Sequence, residues 1–350
     1  MTERIGMSAG GGGSEQRRLI ELIRGYLGNP VLDPLEDAAL LNVQAAPGEA
    51  LAFTTDSYVV HPWRFPGGDI GSLAVCGTVN DLVVMGARPL WLSLGLIIEE
   101  GFPLSDLELI LASIKSRAAE AGVAVATGDT KLVEHGKGDA VYINTAGIGL
   151  RPAGRDYGAH RIEPGQVLLV SGALGDHAVA VMCSREGMEF EVDVQSDCAP
   201  LGGLVEALVE AAGPGGIFAM RDLTRGGLAA VLNEYAAASG CDMLVEETHL
   251  PVHGPVRMAA KVLGIEPAAL ANEGKLLAVV GADAAEAALV AMRAQPYGRE
   301  AGLIGETGPR FDELAPSHDR PRRPLVLFHT ASGGMRLVEM PLGELLPRIC

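Results

Sequence analysis

Basic residues are scarce in this 350-residue chain: 27 Lys and Arg stand against 44 Asp and Glu, for a net charge of −17. So acidic a protein repels polyanions, which argues against nucleic acid or an anionic membrane as partner. No apolar run reaches the roughly eighteen residues that a membrane span requires. The N-terminus lacks the charged-then-apolar layout of a secretory leader, so a cytoplasmic location is expected. The five cysteines, at 76, 183, 198, 241 and 350, form no CxxC pair or zinc spacing, and their odd number argues against a disulfide framework. The eight histidines show no ligand spacing. Two common phosphate-binding signatures are also missing: there is no Walker A pattern and no G-x-G-x-x-G behind a strand.

What is present is an ordinary globular composition, 48% hydrophobic, with an excess of glycine at 46 residues. The length suits two domains, and the glycines suit tight turns or close backbone approaches to a ligand. Residues 1–14 read as a flexible Gly-rich arm. Ser14 is expected to cap a helix with the apolar face Leu19, Leu22, Ile23, Tyr26 and Leu27, stopped by Gly28. A strand over 51–56 ends in Asp56, and the stretch 70–85 is helical and apolar almost all round, which predicts a buried helix. Strands follow over 90–98, 123–127 and 140–149, with a helix opened by a Ser105/Glu108 capping box between the first two. Polar, Gly/Pro-bearing residues near 151–165 mark a boundary. Beyond it strands over 167–170, 217–220, 241–246, 275–281 and 301–305 alternate with helices, and a Pro-rich loop over 309–324 precedes two short strands at 325–329 and 335–340.

Several acids share one setting, at a strand end or in a buried helix beside glycine or small residues: Asp37, Asp56, Asp81, Asp129 and Asp222. Carboxylates gathered inside a fold need a cation, and hard oxygen ligands suit Mg²⁺ arriving with phosphates. Neighbouring glycines, Gly128, Gly226 and Gly227, supply backbone N–H groups for the same phosphates. Lys131, two residues past Asp129, is placed to meet phosphoryl charge, or else is a solvated loop lysine. Glu273, ahead of a strand, is a candidate general base or a simple turn acid. Asn80 and Asp81 lie inside the apolar helix, where each needs a partner. At the end of the chain Pro341 and Pro347 discourage a helix and leave a thiol, Cys350, on a tail that reads as mobile.

Five segments carry a resemblance: Thr54-Thr55-Asp56-Ser57; the run from Cys76-Gly77-Thr78-Val79-Asn80-Asp81 to Gly86-Ala87-Arg88-Pro89; Thr127-Gly128-Asp129-Thr130-Lys131; Arg221-Asp222-Leu223-Thr224-Arg225-Gly226-Gly227; and the closing Pro347-Arg348-Ile349-Cys350. The chain resembles the PurM-like (aminoimidazole ribonucleotide synthetase) superfamily and, through its last four residues, the HypE family of hydrogenase maturation proteins. One departure is Leu35-Glu36-Asp37, where relatives often carry a glycine before the acid. The resemblance implies an α/β plus α+β two-domain fold: an N-terminal ferredoxin-like dimerising sheet domain over 15–155, a C-terminal α+β domain over 156–340, and a tail over 341–350. It implies ATP and Mg²⁺ in the cleft between domains, with Asn80, Asp81, Gly128, Asp129, Thr130, Asp222, Arg225, Gly226 and Gly227 on the nucleotide. It implies a carbamoyl dehydratase: ATP-dependent conversion of an S-carbamoyl group on Cys350 to a thiocyanate, Glu273 taking the protons with help from Lys131. The implied partners are a second copy of the chain, the HypF carbamoyltransferase and the HypC–HypD complex, which receives cyanide for [NiFe]-hydrogenase. Two alternatives stand beside this: a selenophosphate-synthetase-like enzyme, though residues 1–50 hold no cysteine, and a non-catalytic nucleotide-binding thiol carrier.

Overall fold

The computed structural model describes residues 4–10, 13–33, 39, 41, 43–185, 193–308, 323–341, 346 and 348–350. The first helix, α1 (Gly13–Leu27), begins one residue before the expected Ser14 cap. Strands β1 (Ala50–Tyr58), β2 (Arg64–Phe65) and β3 (Gly68–Asp69) then lead into α2 (Ile70–Val84). Asp69 caps α2, accepting from the amides of Gly71 and Ser72 at 2.8 and 2.9 Å, while Ser72 Oγ accepts from the Asp69 amide. This is the capping box of the first domain. The box expected at Ser105/Glu108 is absent, because Pro103 occupies the N-cap and offers no side-chain bond.

After α2 come β4 (Arg88–Glu99), α3 (Leu104–Ala121), β5 (Ala124–Val133) and β6 (Val141–Arg151). They form a four-stranded sheet in the order β1-β6-β4-β5, antiparallel except for the parallel pair β4/β5. Helices α2 and α3 pack against each other and α2 also packs on β1, β4 and β6, so one face of the sheet is covered. The other face carries an apolar strip in register, Phe53–Ile148–Trp91, flanked by Leu51 and Ile97. Phe53 is 67% exposed and Leu51 58% exposed.

The second half contains β7 (Val167–Val170), α4 (Asp176–Cys183), α5 (Gly202–Ala212), β8 (Ile217–Asp222), α6 (Gly227–Ser239) and β9 (Asp242–Glu246). It continues with α7 (Gly254–Leu263), β10 (Leu276–Val280), α8 (Ala285–Arg293), β11 (Gly302–Gly308), β12 (Val326–His329) and β13 (Met335–Leu337). The seven strands order as β13-β12-β9-β11-β7-β10-β8, with β12/β9 the parallel pair. Strand β10 is buried on both faces, which explains its unbroken apolar run. Leu276, Ala278 and Val280 join the core shared with the first domain, while Leu277 and Val279 face the core under α6. Helix α2 also packs against β8 and α5, which is why its apolar residues have no polar side. No described helix is long and apolar enough to cross a membrane.

Candidate active site at the domain junction

The site grows from Asn80 and Asp81, adjacent polar residues of α2. Asn80 donates through Nδ2 to the carbonyls of Ala199 (3.0 Å) and Glu273 (3.3 Å) and accepts from the Leu201 amide (2.8 Å). Its amide, expected to meet the nucleotide, instead fastens α2 to two loops of the second domain. Asn80→Leu leaves those buried backbone groups unpartnered and should lower stability by about 3 kcal/mol, read as a drop in the urea midpoint. Asp81 faces β1, where Thr54 Oγ1 donates to Oδ2 at 2.8 Å. Burial pushes the Asp81 carboxyl above the ordinary carboxylate range, opposed by the Thr54 bond.

Asp222, at the end of β8, faces the same space. Burial, and then the neighbouring Asp81, push its pKa up to about 7. Asp56 on β1 lies 3.8 Å from the guanidinium of Arg225. Arg225 sits in the turn before α6 and is held protonated first by the charge of Cys350, opposed by burial, and then by Asp56, Glu273 and Asp81. Gly226 and Gly227 follow with φ of +75° and +56°. A side chain at Gly227 would meet the Leu270 carbonyl at 2.3 Å, so this left-handed turn into α6 requires glycine. The turn leads into a thirteen-residue helix, whose N-terminal end suits phosphate.

Glu273 completes the group. It is 3% exposed, and its Oε1 has no hydrogen-bond partner. Burial drives its pKa well above the usual value, reinforced by Cys198, Asp222, Asp197 and Asp56. Its amide donates to Asp197 Oδ1 at 3.0 Å, which fixes the backbone that carries the carboxyl. Asp197 Oδ2 in turn lies 3.3 Å from Lys275 Nζ.

The tail does not hang free. Ile349 is 5% exposed, and the last residues lie along the chain just beyond β1. The Val59 amide donates to the Cys350 carbonyl (3.3 Å), the His61 amide to the Arg348 carbonyl (3.2 Å), and Arg348 Nε to the Val59 carbonyl (3.0 Å). Arg348 also pairs with Asp139. Cys350 ends half-buried, within electrostatic reach of Arg225.

The expected residues thus divide. Asp56, Asp81, Asp222, Arg225, Gly226, Gly227, Glu273 and Cys350 converge. Gly128, Asp129, Thr130 and Lys131 do not, within one chain. Asp129 lies in register with Gly95, Asn144 and Ser57, so it sits on the sheet face turned away from α2, three strands or about 14 Å from β1. It forms an exposed pair with Lys131 at 3.1 Å. Asp37 lies outside the described residues. His177 and Ser196, which contact the tail or its anchor, are invisible to motif reading because neither lies in a segment with a recognisable pattern.

Residues 35–151 match the model of the AIR synthase related protein N-terminal domain, and 163–313 that of its C-terminal domain. The carbamoyl dehydratase HypE of Rhodobacter capsulatus is 47% identical over 350 residues, covering 99% of this chain and 98% of the relative. This chain belongs to the HypE carbamoyl dehydratase family. The HypE crystal structure in complex with ATP superposes with a TM-score of 0.91 at 44% identity, covering 99% of both chains. The structure of a HypE–HypF complex matches with a TM-score of 0.77 at 43% identity, over 92% of this chain and 99% of that one. The HypE fold therefore spans both domains.

Proposed function

We infer that the chain dehydrates an S-carbamoyl group on its own Cys350 to a thiocyanate, using ATP. The observation that carries this reading is the chain end docked on Val59 and His61, with Arg225 in electrostatic reach both of it and of the buried Glu273 carboxyl, whose Oε1 has no hydrogen-bond partner. A carbamoyl oxygen is a poor leaving group. Transfer of the ATP γ-phosphoryl to it makes a good one, and departure of phosphate with loss of the N–H protons leaves C≡N on sulfur. Arg225 and the first amides of α6 hold phosphoryl charge, and Glu273, kept from water, accepts a proton from nitrogen. Its raised pKa makes the ionised form a stronger base than an exposed carboxylate.

Magnesium fits this site as a phosphate-borne ion. Among the described residues no three His, Cys, Asp or Glu side chains gather closely enough to cage a metal. Mg²⁺, however, commonly takes one or two carboxylates and completes its shell with phosphate and water. Asp222 and Asp81, both held toward their protonated forms by burial, are the residues that would hold it. When bound, it neutralises charge on the transferring phosphoryl group.

Homodimerisation supplies a place for Lys131 and Asp129. They stand on the same exposed sheet face as Phe53, and pairing through that face encloses them. Phe53→Asp should weaken self-association by at least roughly thirtyfold. Light scattering then shows a monomer, and dehydration falls with the dimer fraction; a Phe53→Asp protein that remains a stable dimer rejects the interface. HypF is the proposed carbamoyl donor and the HypC–HypD complex the proposed cyanide acceptor. The decisive test is mass spectrometry of the C-terminal peptide after incubation with HypF, carbamoyl phosphate and ATP. A carbamoyl adduct on Cys350 should lose one water only when ATP is present. ATP turnover that ignores the adduct would favour the bare carrier.

A further inference from the structure

The chain end is held by a side chain that none of the expected motifs contains. His177, in the first turn of α4, is fully buried. Its Nε2 lies 2.9 Å from the carbonyl oxygen of Ile349, the residue just before the terminal thiol. A carbonyl oxygen only accepts, so Nε2 carries the proton. Nδ1, 2.8 Å from Ser196 Oγ, is then the acceptor of the neutral ring. Ser196 Oγ is suited to donate there because it already accepts from the Cys198 amide at 3.1 Å. Phe65 stands edge-on to the imidazole at 5.4 Å and 88°, which fixes its plane. The ring therefore has one tautomer and one orientation, and both aim its N–H at the tail.

The same segment that orients His177 also orients Glu273. The Ser196 amide is bonded to the Pro66 carbonyl at 2.8 Å, and Asp197 accepts the Glu273 amide at 3.0 Å. Ala199 and Leu201 are bonded to Asn80. A continuous set of bonds thus runs from Ile349 through His177, Ser196 and Asp197 to Glu273. We propose that His177 is the positioning residue for the terminal thiol, and that the 196–201 strap sets thiol and base in one frame. This rests on Cys350 being the carrier of the carbamoyl group. The His177 bond is neutral and adds to the bonds at Val59 and His61, which suits a chain end that docks for dehydration and leaves to be loaded or unloaded. Loss of such a bond shifts an equilibrium by about tenfold.

The test uses the full-length protein without ATP. Iodoacetamide alkylation of Cys350 is followed on the C-terminal peptide by mass spectrometry. His177→Leu, which fills the space against Phe65 but cannot donate, should alkylate about tenfold faster than the parent. It should also lower kcat for dehydration to a similar extent while leaving KM for ATP unchanged. His177→Gln, whose amide reaches where Nε2 stands, should remain within about twofold of the parent alkylation rate. A folded His177→Leu protein with the parent's alkylation rate overturns the proposal, as does His177→Gln alkylating as fast as His177→Leu. Should His177→Leu fail to fold, diethylpyrocarbonate modification of His177 decides the matter. That rate should rise about tenfold when residues 348–350 are deleted, and an unchanged rate counts against the anchor. Neither labelling readout needs carbamoyl chemistry. A parent protein that alkylates as expected but forms no thiocyanate would therefore reject the functional reading and leave the anchor standing.

Discussion

Cys350→Ser abolishes thiocyanate formation while ATP affinity stays within about twofold of the parent. The reason lies in the nucleophile. Loading the chain end requires an ionised sulfur, and a thiol with a pKa of about 8.5 supplies that form far more readily than an alcohol does. The substitution leaves the backbone bonds of the chain end to Val59 and His61 in place, so the tail still docks. The residues proposed to meet the nucleotide, Asp81, Asp222, Arg225, Gly226 and Gly227, belong to other elements and are untouched. Calorimetry of ATP binding and mass spectrometry of the C-terminal peptide separate the two effects. Thiocyanate recovered from the serine variant would remove Cys350 from the reaction.

Glu273→Gln slows dehydration by about 10²–10⁴-fold and leaves carbamoylation at the parent rate. The amide has the size and hydrogen-bonding reach of the carboxyl but cannot accept the nitrogen's proton. The adduct should therefore accumulate on Cys350, and single-turnover mass spectrometry reads its decay. An unaltered decay rate rejects Glu273 as the base. The same variant has a signature in stability. Glu273 in the folded chain has a pKa well above its ordinary 4.5, so the unfolded chain ionises first as pH rises. Ionisation favours the unfolded state of the parent from about pH 4.5 up to the folded pKa. Glutamine has no such titration. Its stability relative to the parent should therefore increase with pH across that window, and denaturant midpoints at pH 5 and pH 8 give the sign.

Much of the fold is legible from local pattern. Strand β7 has the same bounds in the sequence as in the structure, because its apolar run is short and flanked by turn residues. The all-round apolarity of α2 announces a helix with neighbours on every side, and the second domain is one of them. The acids Asp56, Asp81 and Asp222 are recognisable because an acid beside small residues in a strand or a buried helix is an unusual use of charge. Other features depend on pairing across long stretches of chain and leave no periodic trace. His177 and Ile349 are 172 positions apart, and Asn80 and Glu273 193. The position of Lys131 is illegible in the sequence for a different reason. Its neighbour Asp129 has the right local setting, but sheet register puts both on the opposite face from the acid group. Only the order β1-β6-β4-β5 reveals this.

The way Asn80 is engaged has a consequence for how the enzyme must operate. A helix set in the core common to both domains, and stitched to the second domain through three bonds, does not act as a hinge. The walls of the cleft are in effect a fixed vice. In the proposed reaction, delivery, turnover and hand-off are then separate visits of Cys350 to a stationary workbench.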